Sequence, residues 1–311
     1  MFFQTQAMLN IVLGAVSLGL LWAIMTLGVF LTYRILDYAD LTVEGSITMG
    51  AAIAARLIYD GVDPVLATAA AIAGGMAAGW VTGVLHTKLK IPGLLSGILS
   101  MIALYSINIR IMGKADITLL KSDTVFTGIS ALGITGQWAV MLVGAGLTAA
   151  VILFLYWFFG TELGCAIRAT GDNEKMARAQ GINTDTMKLM GLMLSNGLVA
   201  FSGALIAQNQ RYADITMGQG AIVIGLASVI IGEVLFDRGG FLRRFFSMAL
   251  GAVIYRIIIA FVIELGMQPT DLRLFTAITV AAALSIPNIQ GKAITLFRPR
   301  RVSAGCAVQS K

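Results

Sequence analysis

Apolar runs of about 20 residues recur along this chain almost end to end, the length a helix needs to cross the hydrocarbon core of a bilayer. Nine can be delimited, at about 8–32, 42–59, 64–85, 93–112, 138–160, 187–209, 218–236, 245–264 and 272–288. Lipid offers no partners to backbone amides and carbonyls, so each run must satisfy them internally, as a helix does. The expected fold is therefore all-α and polytopic, with about nine transmembrane helices (eight to ten) in one membrane domain over 1–290 and a basic tail over 291–311. Composition agrees: 12% of the residues are charged, against about 25% in soluble domains, and the mean hydropathy is +0.86. Met1 to Asn10 contains no Lys or Arg and no small-residue cleavage site follows, so no cleavable signal is expected.

The second and seventh runs contain "DLTVEGSITMG" and "TMGQGAIVIG", whose polar residues and glycines predict interrupted helices. Such breaks are tolerated only where protein or a water-filled cavity covers the loosened backbone. In the third run Gly75, Gly79 and Gly83 repeat at four-residue spacing after Ala71, leaving one face nearly bare for close helix contact. Internal packing is expected there, with a dimer seam as the alternative. Placing the N-terminus outside and the C-terminus inside puts fifteen of the 22 Lys and Arg residues on inner segments, as the positive-inside rule requires. The net charge of +6 thus has a topological explanation, and no nucleic-acid partner is expected. The outer loop from Lys114 to Gln137 predicts an interfacial helix or a docking surface for an external protein.

The one sizeable polar island, "TELGCAIRATGDNEKMARAQGINTDTMK" over 161–188, comes out cytoplasmic. It predicts a short helix over about 173–180, with Asp172 as N-cap, Glu174 at the positive end of the dipole and Gly181 as the left-handed stop. That helix is too short to span a bilayer and points into water, where another protein can grip it. Cys165 and Cys306 fall on the reducing side, so no disulfide is expected.

No catalytic constellation appears: there is no HExxH, no GxSxG and no Walker-type phosphate loop, and an enzyme is not expected. No metal site is expected either. His86, beside Lys88 and Lys90, is read as a solvated or interfacial side chain. Polar groups inside spans are more informative, because a charge at mid-bilayer costs about 2.5–3.5 kcal/mol on insertion scales. Arg256 is expected to meet an ion-pair partner, or an anionic substrate group. Glu44, after Asp40 and Thr42, is expected to cap its helix. Glu233 is expected to pair with Arg238 or Arg243. Asn108, Asn196 and Asn209 are candidates for interhelical hydrogen bonds or a solute path.

The runs "ILDYADLTVEGSITMGAAIAARL", "GTELGCAIRATGDNEKMARAQGIN" and "GLASVIIGEVLF" resemble the permease subunits of bacterial ABC importers, in the branch that includes branched-chain amino acid and ribose permeases. The similarity runs from about Leu20 to Pro287, and a sub-branch linked to tryptophan or tyrosine uptake is similar in "DLTVEGS" and "IGEVLF". The resemblance implies that the island holds a coupling helix gripped by a cytoplasmic ATPase, with Gly171, Asp172, Asn173, Glu174, Ala177 and Gly181 as the matching residues. Cys165 departs from the polar or basic residue common there. It further implies a homodimer of permeases, two ATPase subunits that carry ATP and Mg, a substrate-binding protein outside, membrane lipid around, and no cofactor on this chain. The implied substrate is a small solute: an aromatic or branched-chain amino acid, with a sugar or nucleoside as the alternative. Thr42, Glu44, Asn108, Asn196 and Arg256 are the expected path residues. An ion-gradient-driven carrier is the competing reading; it requires paired intramembrane acids and inverted-repeat halves, and neither is convincing here.

Overall fold

One helix organises the rest, because three others pack directly on it. The computed structural model describes residues 2–120, 122–130, 136–236 and 240–264, together with Leu274 and Ile278. In chain order the elements are α1 (Phe2–Phe30), a π-helical turn (Leu31–Ile35), α2 (Thr42–Tyr59), α3 (Pro64–Thr87), α4 (Gly93–Met112), β1 (Asp116–Thr118), α5 (Val125–Ser130), α6 (Gln137–Phe159), α7 (Glu162–Asp172), α8 (Glu174–Ala179), α9 (Thr184–Gln210), β2 (Tyr212–Asp214), α10 (Ala221–Phe236) and α11 (Phe241–Glu264). Six of these (α1 with its π turn, α3, α4, α6, α9 and α11) are long and apolar enough to cross a membrane. The ninth expected span, the basic tail and Cys306 lie outside the described residues, apart from Leu274 and Ile278.

The hub is α9. In its most apolar window 72% of the residues are buried, against 28% for α4, so α9 is the central mast and α4 the periphery. Helices α1, α2 and α3 pack directly on it. The contact with α3 uses the predicted glycine stripe: a Cβ on Gly75 would meet the backbone of Asn196, and one on Gly79 the carbonyl of Leu192. In lipid the drive for such contact is packing and hydrogen bonding rather than burial from water. The stripe is therefore an internal seam. Interhelical hydrogen bonds add to it, from Ser195 Oγ to the Gly28 carbonyl (2.7 Å) and from Ser202 Oγ to the Leu21 carbonyl (2.8 Å), each worth about 0.6 kcal/mol by membrane double-mutant cycles.

Several sequence expectations change. The fold is not strictly all-α, because β1 and β2 pair antiparallel, Ile117 opposite Ala213. The break expected within the second run lies before it: the π turn and the irregular 36–41 segment, with Asp37 at φ +52°, precede an α2 that is helical without interruption from Thr42. The seventh run starts its helix only at Ala221, after the turns that end at Gly220 (φ +80°). The loop over 114–137 contributes β1 and the short α5 rather than one interfacial helix. His86 is half-buried rather than solvated, with Nδ1 2.9 Å from the Ile91 carbonyl and its ring edge-on to Tyr38.

Candidate functional site

The polar island folds as a helix–helix hairpin, α7 then α8, and not as one short rod. Thr161 caps α7, accepting from the Gly164 amide, and α7 runs through Asp172. Asp172 is thus the last residue of α7, and the N-cap of α8 is Asn173, whose Oδ1 accepts from the Met176 amide at 3.0 Å. The two residues are comparable caps; backbone continuity of α7 through Asp172 decides between them. Gly171 is required by close approach, since a Cβ there would strike the Ile35 carbonyl. That seats the end of α7 on the π turn below α1. At the other end Gly181 takes φ +84°, the Gly181 amide donates to the Arg178 carbonyl and the Ile182 amide to the Ala177 carbonyl. This is a Schellman closure, which satisfies the last orphan carbonyls of a helix.

Charge ties α8 to the start of α9. Glu174 accepts from Arg178 one turn on (2.8 Å) and from Lys188 Nζ on α9 (2.7 Å), and Arg178 also reaches Asp185 (3.0 Å) and Thr184 (2.6 Å). The Lys188 hydrogen bond holds the Glu174 carboxyl below the usual carboxylate range, against a smaller opposing effect of burial. Ala177 is fully buried against the chain, so its contribution is to seat α8, while Lys175 and Met176 face outward. A further ion pair on the same side joins Arg34 to Glu233 at 2.8 Å; the sequence had pointed Glu233 at Arg238 or Arg243 instead. Arg238 lies outside the described residues. Cys165 is exposed and free.

The mid-chain polar residues divide into two groups. Asp40, Thr42 and Asn196 are buried in one network: Asn196 Nδ2 donates to Asp40 Oδ2 (2.7 Å), the Thr42 amide to Asp40 Oδ1 (2.9 Å), and Ser46 Oγ to Asn196 Oδ1 (2.6 Å). Thr42 Oγ1 continues it to Thr82 (2.8 Å), which donates to Ser100 (2.7 Å), so α2, α3, α4 and α9 are stitched together. Glu44 and Asn108 instead line a cavity of about 560 Å3 between α2, α4 and the turns before α10, together with Thr48, Tyr105 and Ser106. Glu44 does not cap its own helix as expected: the N-cap of α2 is Leu41, without a side-chain cap, and Glu44 Oε1 accepts instead from the Gly220 amide at 3.0 Å, just before α10. Arg256 joins neither group. Its guanidinium lies 4.0 Å from the centre of the Trp22 ring, its Nε has no hydrogen-bond partner, and no acid among the described residues pairs with it. A cation over an indole face substitutes for the expected ion pair. The sequence signal was the pairing of one intramembrane Arg with a Trp in the first span, but which aromatic it would meet depends on the fold.

Six helices long and apolar enough to cross a membrane, with a charged two-helix segment between two of them, are the architecture of a multi-pass membrane protein. The comparisons agree. Residues 11–283 match the family described as "Branched-chain amino acid transport system / permease component", and the chain belongs to that family. It is 43% identical to the tyrosine transport system permease protein of Clostridioides difficile (strain R20291), over 89% of this chain and 92% of that one. It is 26% identical to the ribose import permease protein RbsC of Escherichia coli (strain K12), over 92% and 87%. It is 25% identical to the inner membrane ABC transporter permease protein YjfF of Escherichia coli (strain K12), over 76% and 70%. The chain is a multi-pass protein of the bacterial inner membrane and an ABC-type permease subunit, with ATP used by a separate subunit.

Proposed function

We propose that this chain forms the translocation path of an ATP-driven amino-acid importer and that α8 is its coupling helix. The observation that carries this is the Glu174–Lys188 contact, because it converts a push on exposed α8 into a push on α9, the helix that α1, α2 and α3 all pack against. In this reading two permease copies enclose the path, two cytoplasmic ATPases grip the two α8 hairpins, and an external binding protein delivers the solute. Nine spans, with the N-terminus outside and the tail inside, bring the hairpin to the ATPase side. Closing the ATPase dimer on ATP draws the hairpins together and tilts α9. That moves α2, through Asn196 and Asp40, against α4. Glu44 and Asn108 face the path; Thr42 and Asn196 transmit the movement; Arg256 holds α11 on α1 through Trp22. The relative named for tyrosine supports an aromatic or branched-chain amino acid over a sugar.

Reconstitution with its ATPase and binding protein tests this reading. Uptake of labelled tyrosine or leucine should require ATP. Replacing both Glu174 and Lys188 by Ala should leave ATP hydrolysis while lowering uptake by about tenfold or more, the scale of a lost coupling free energy of 1–3 kcal/mol. Uptake driven by an ion gradient with no ATPase present would overturn the proposal, and ATP-driven uptake of ribose alone would overturn its substrate.

A further inference from the structure

The cavity beside α2 is built for one sign of charge. Asn108 is 1% exposed and lines it from α4. Its Nδ2 donates to the Gly45 carbonyl at 3.1 Å, which fixes the amide orientation, since a carbonyl cannot donate. The other end, Oδ1, has no hydrogen-bond partner. A buried acceptor without a donor is rare and calls for an explanation. Glu44 lines the same cavity from α2, with the Gly220 amide on Oε1 and no ion pair to any Lys or Arg among the described residues. No Lys or Arg lines the cavity. The Thr48 hydroxyl donates to the Glu44 carbonyl at 3.1 Å and is not available as a donor to an anion. Tyr105 and Ile102 supply an apolar wall.

We propose that this cavity recognises a primary ammonium group, placed between the Glu44 carboxylate and the free Oδ1 of Asn108. An ammonium carries three donors and no acceptor, the complement of a carboxylate plus an orphan amide oxygen. A solute carboxylate or phosphate finds no cation here, and a neutral sugar leaves the Glu44 charge unanswered. The inference deepens the importer reading and rests on it only in taking the cavity as part of the solute path. It assigns recognition of the amino end of the solute to this chain. Arg256, over the Trp22 ring between α11 and α1, does not line this cavity.

The test uses the permease–ATPase complex in nanodiscs, with Cys165→Ala and Cys306→Ala as background and Ser106→Cys as the reporter, since Ser106 lines the cavity and is exposed. A cationic trimethylammonium-ethyl and an anionic sulfonatoethyl methanethiosulfonate are compared, each rate normalised to a free thiol. The expected result is a preference for the cationic reagent on the order of tenfold, from a single unpaired charge nearby, that falls to near unity in Glu44→Gln. Millimolar tyramine should slow labelling while 3-(4-hydroxyphenyl)propionate should not, and Asn108→Ala should weaken the tyramine protection while keeping the charge preference. This second variant also covers the case in which Glu44→Gln does not fold. Equal or inverted preference, a preference unchanged in Glu44→Gln, protection by the deaminated acid alone, or a thiol that neither reagent reaches would each overturn the assignment. ATP-driven tyrosine uptake by the same complex is read in parallel. Uptake without charge preference overturns the ammonium site alone, and charge preference without ATP-driven amino-acid uptake overturns the importer reading alone.

Discussion

The α7–α8 hairpin and the α2–α3–α9 seam are both made of polar and small residues, yet they are held by opposite means. The hairpin is held by full charges at its surface: Glu174, Arg178, Asp185 and Lys188, with side chains between 17% and 57% exposed. The seam is held by close approach and buried hydrogen bonds, with Gly75 and Gly79 bringing backbones into contact, Asn196 and the Thr42 amide donating to the buried Asp40, and Ser46 donating to Asn196. Exposed ion pairs are worth little individually and are screened by salt, whereas buried seams tolerate almost no change in volume. The difference assigns roles. The seam must stay one rigid body, and the hairpin must be firm enough to transmit force but is open to a partner.

The largest effect should come from breaking the seam. Gly79→Leu drives a side chain into the Leu192 carbonyl, and overpacking of this kind costs about 3 kcal/mol or more when backbone must move. The thermal midpoint of the purified chain in detergent should fall by well over that of any hairpin variant; an unchanged midpoint would mean that α3 and α9 are not in contact. Asn196→Ala should be next. It removes a donor from Asp40 and the acceptor of Ser46, leaving buried groups unsatisfied at about 1–3 kcal/mol. Added salt should not change that loss, because the groups are out of reach of ions.

The hairpin should respond least in stability and most to solution conditions. Glu174 titrates lower in the fold than its ordinary value of 4.5, with the Lys188 hydrogen bond as the main cause. A lowered acid contributes stability that is complete above its unfolded value and is lost as pH falls through the lower folded value. Amide-exchange protection over 174–188 should therefore be flat from about pH 8 down to pH 5, scaled for intrinsic exchange, and decline only in more acidic solution. Loss of protection already near pH 6 would show that another group holds the hairpin.

What could be read from the chain divides along the same line. The bounds of α3, α4 and the bulk of α9 follow from unbroken apolar runs, and the glycine stripe of α3 announced its own contact. The hairpin was half legible. Gly181 as a left-handed stop and a helix near Glu174 were visible, but Glu162 to Asp172 reads as loop because its charges mask an amphipathic turn pattern, and Asp172 and Asn173 compete equally as caps. The cavity was legible only as a list of residues. Glu44 and Asn108 are separated by all of α3, and only the fold brings them to one cavity. Arg256 over Trp22, and Glu233 against Arg34, are likewise pairings between distant segments that local pattern does not specify.

The central claim is that α8 and α9 move as one lever. It is tested most directly by replacing Glu174 and Lys188 with Cys in the background free of other cysteines and joining the two with a short bifunctional thiol reagent. With the covalent link in place of the ion pair, ATP-driven uptake should return to near the wild-type rate, while the same variant left unlinked hydrolyses ATP with little uptake. If the linked protein loses uptake that the unlinked one retains, α8 must swing against α9 during the cycle, and the account is wrong.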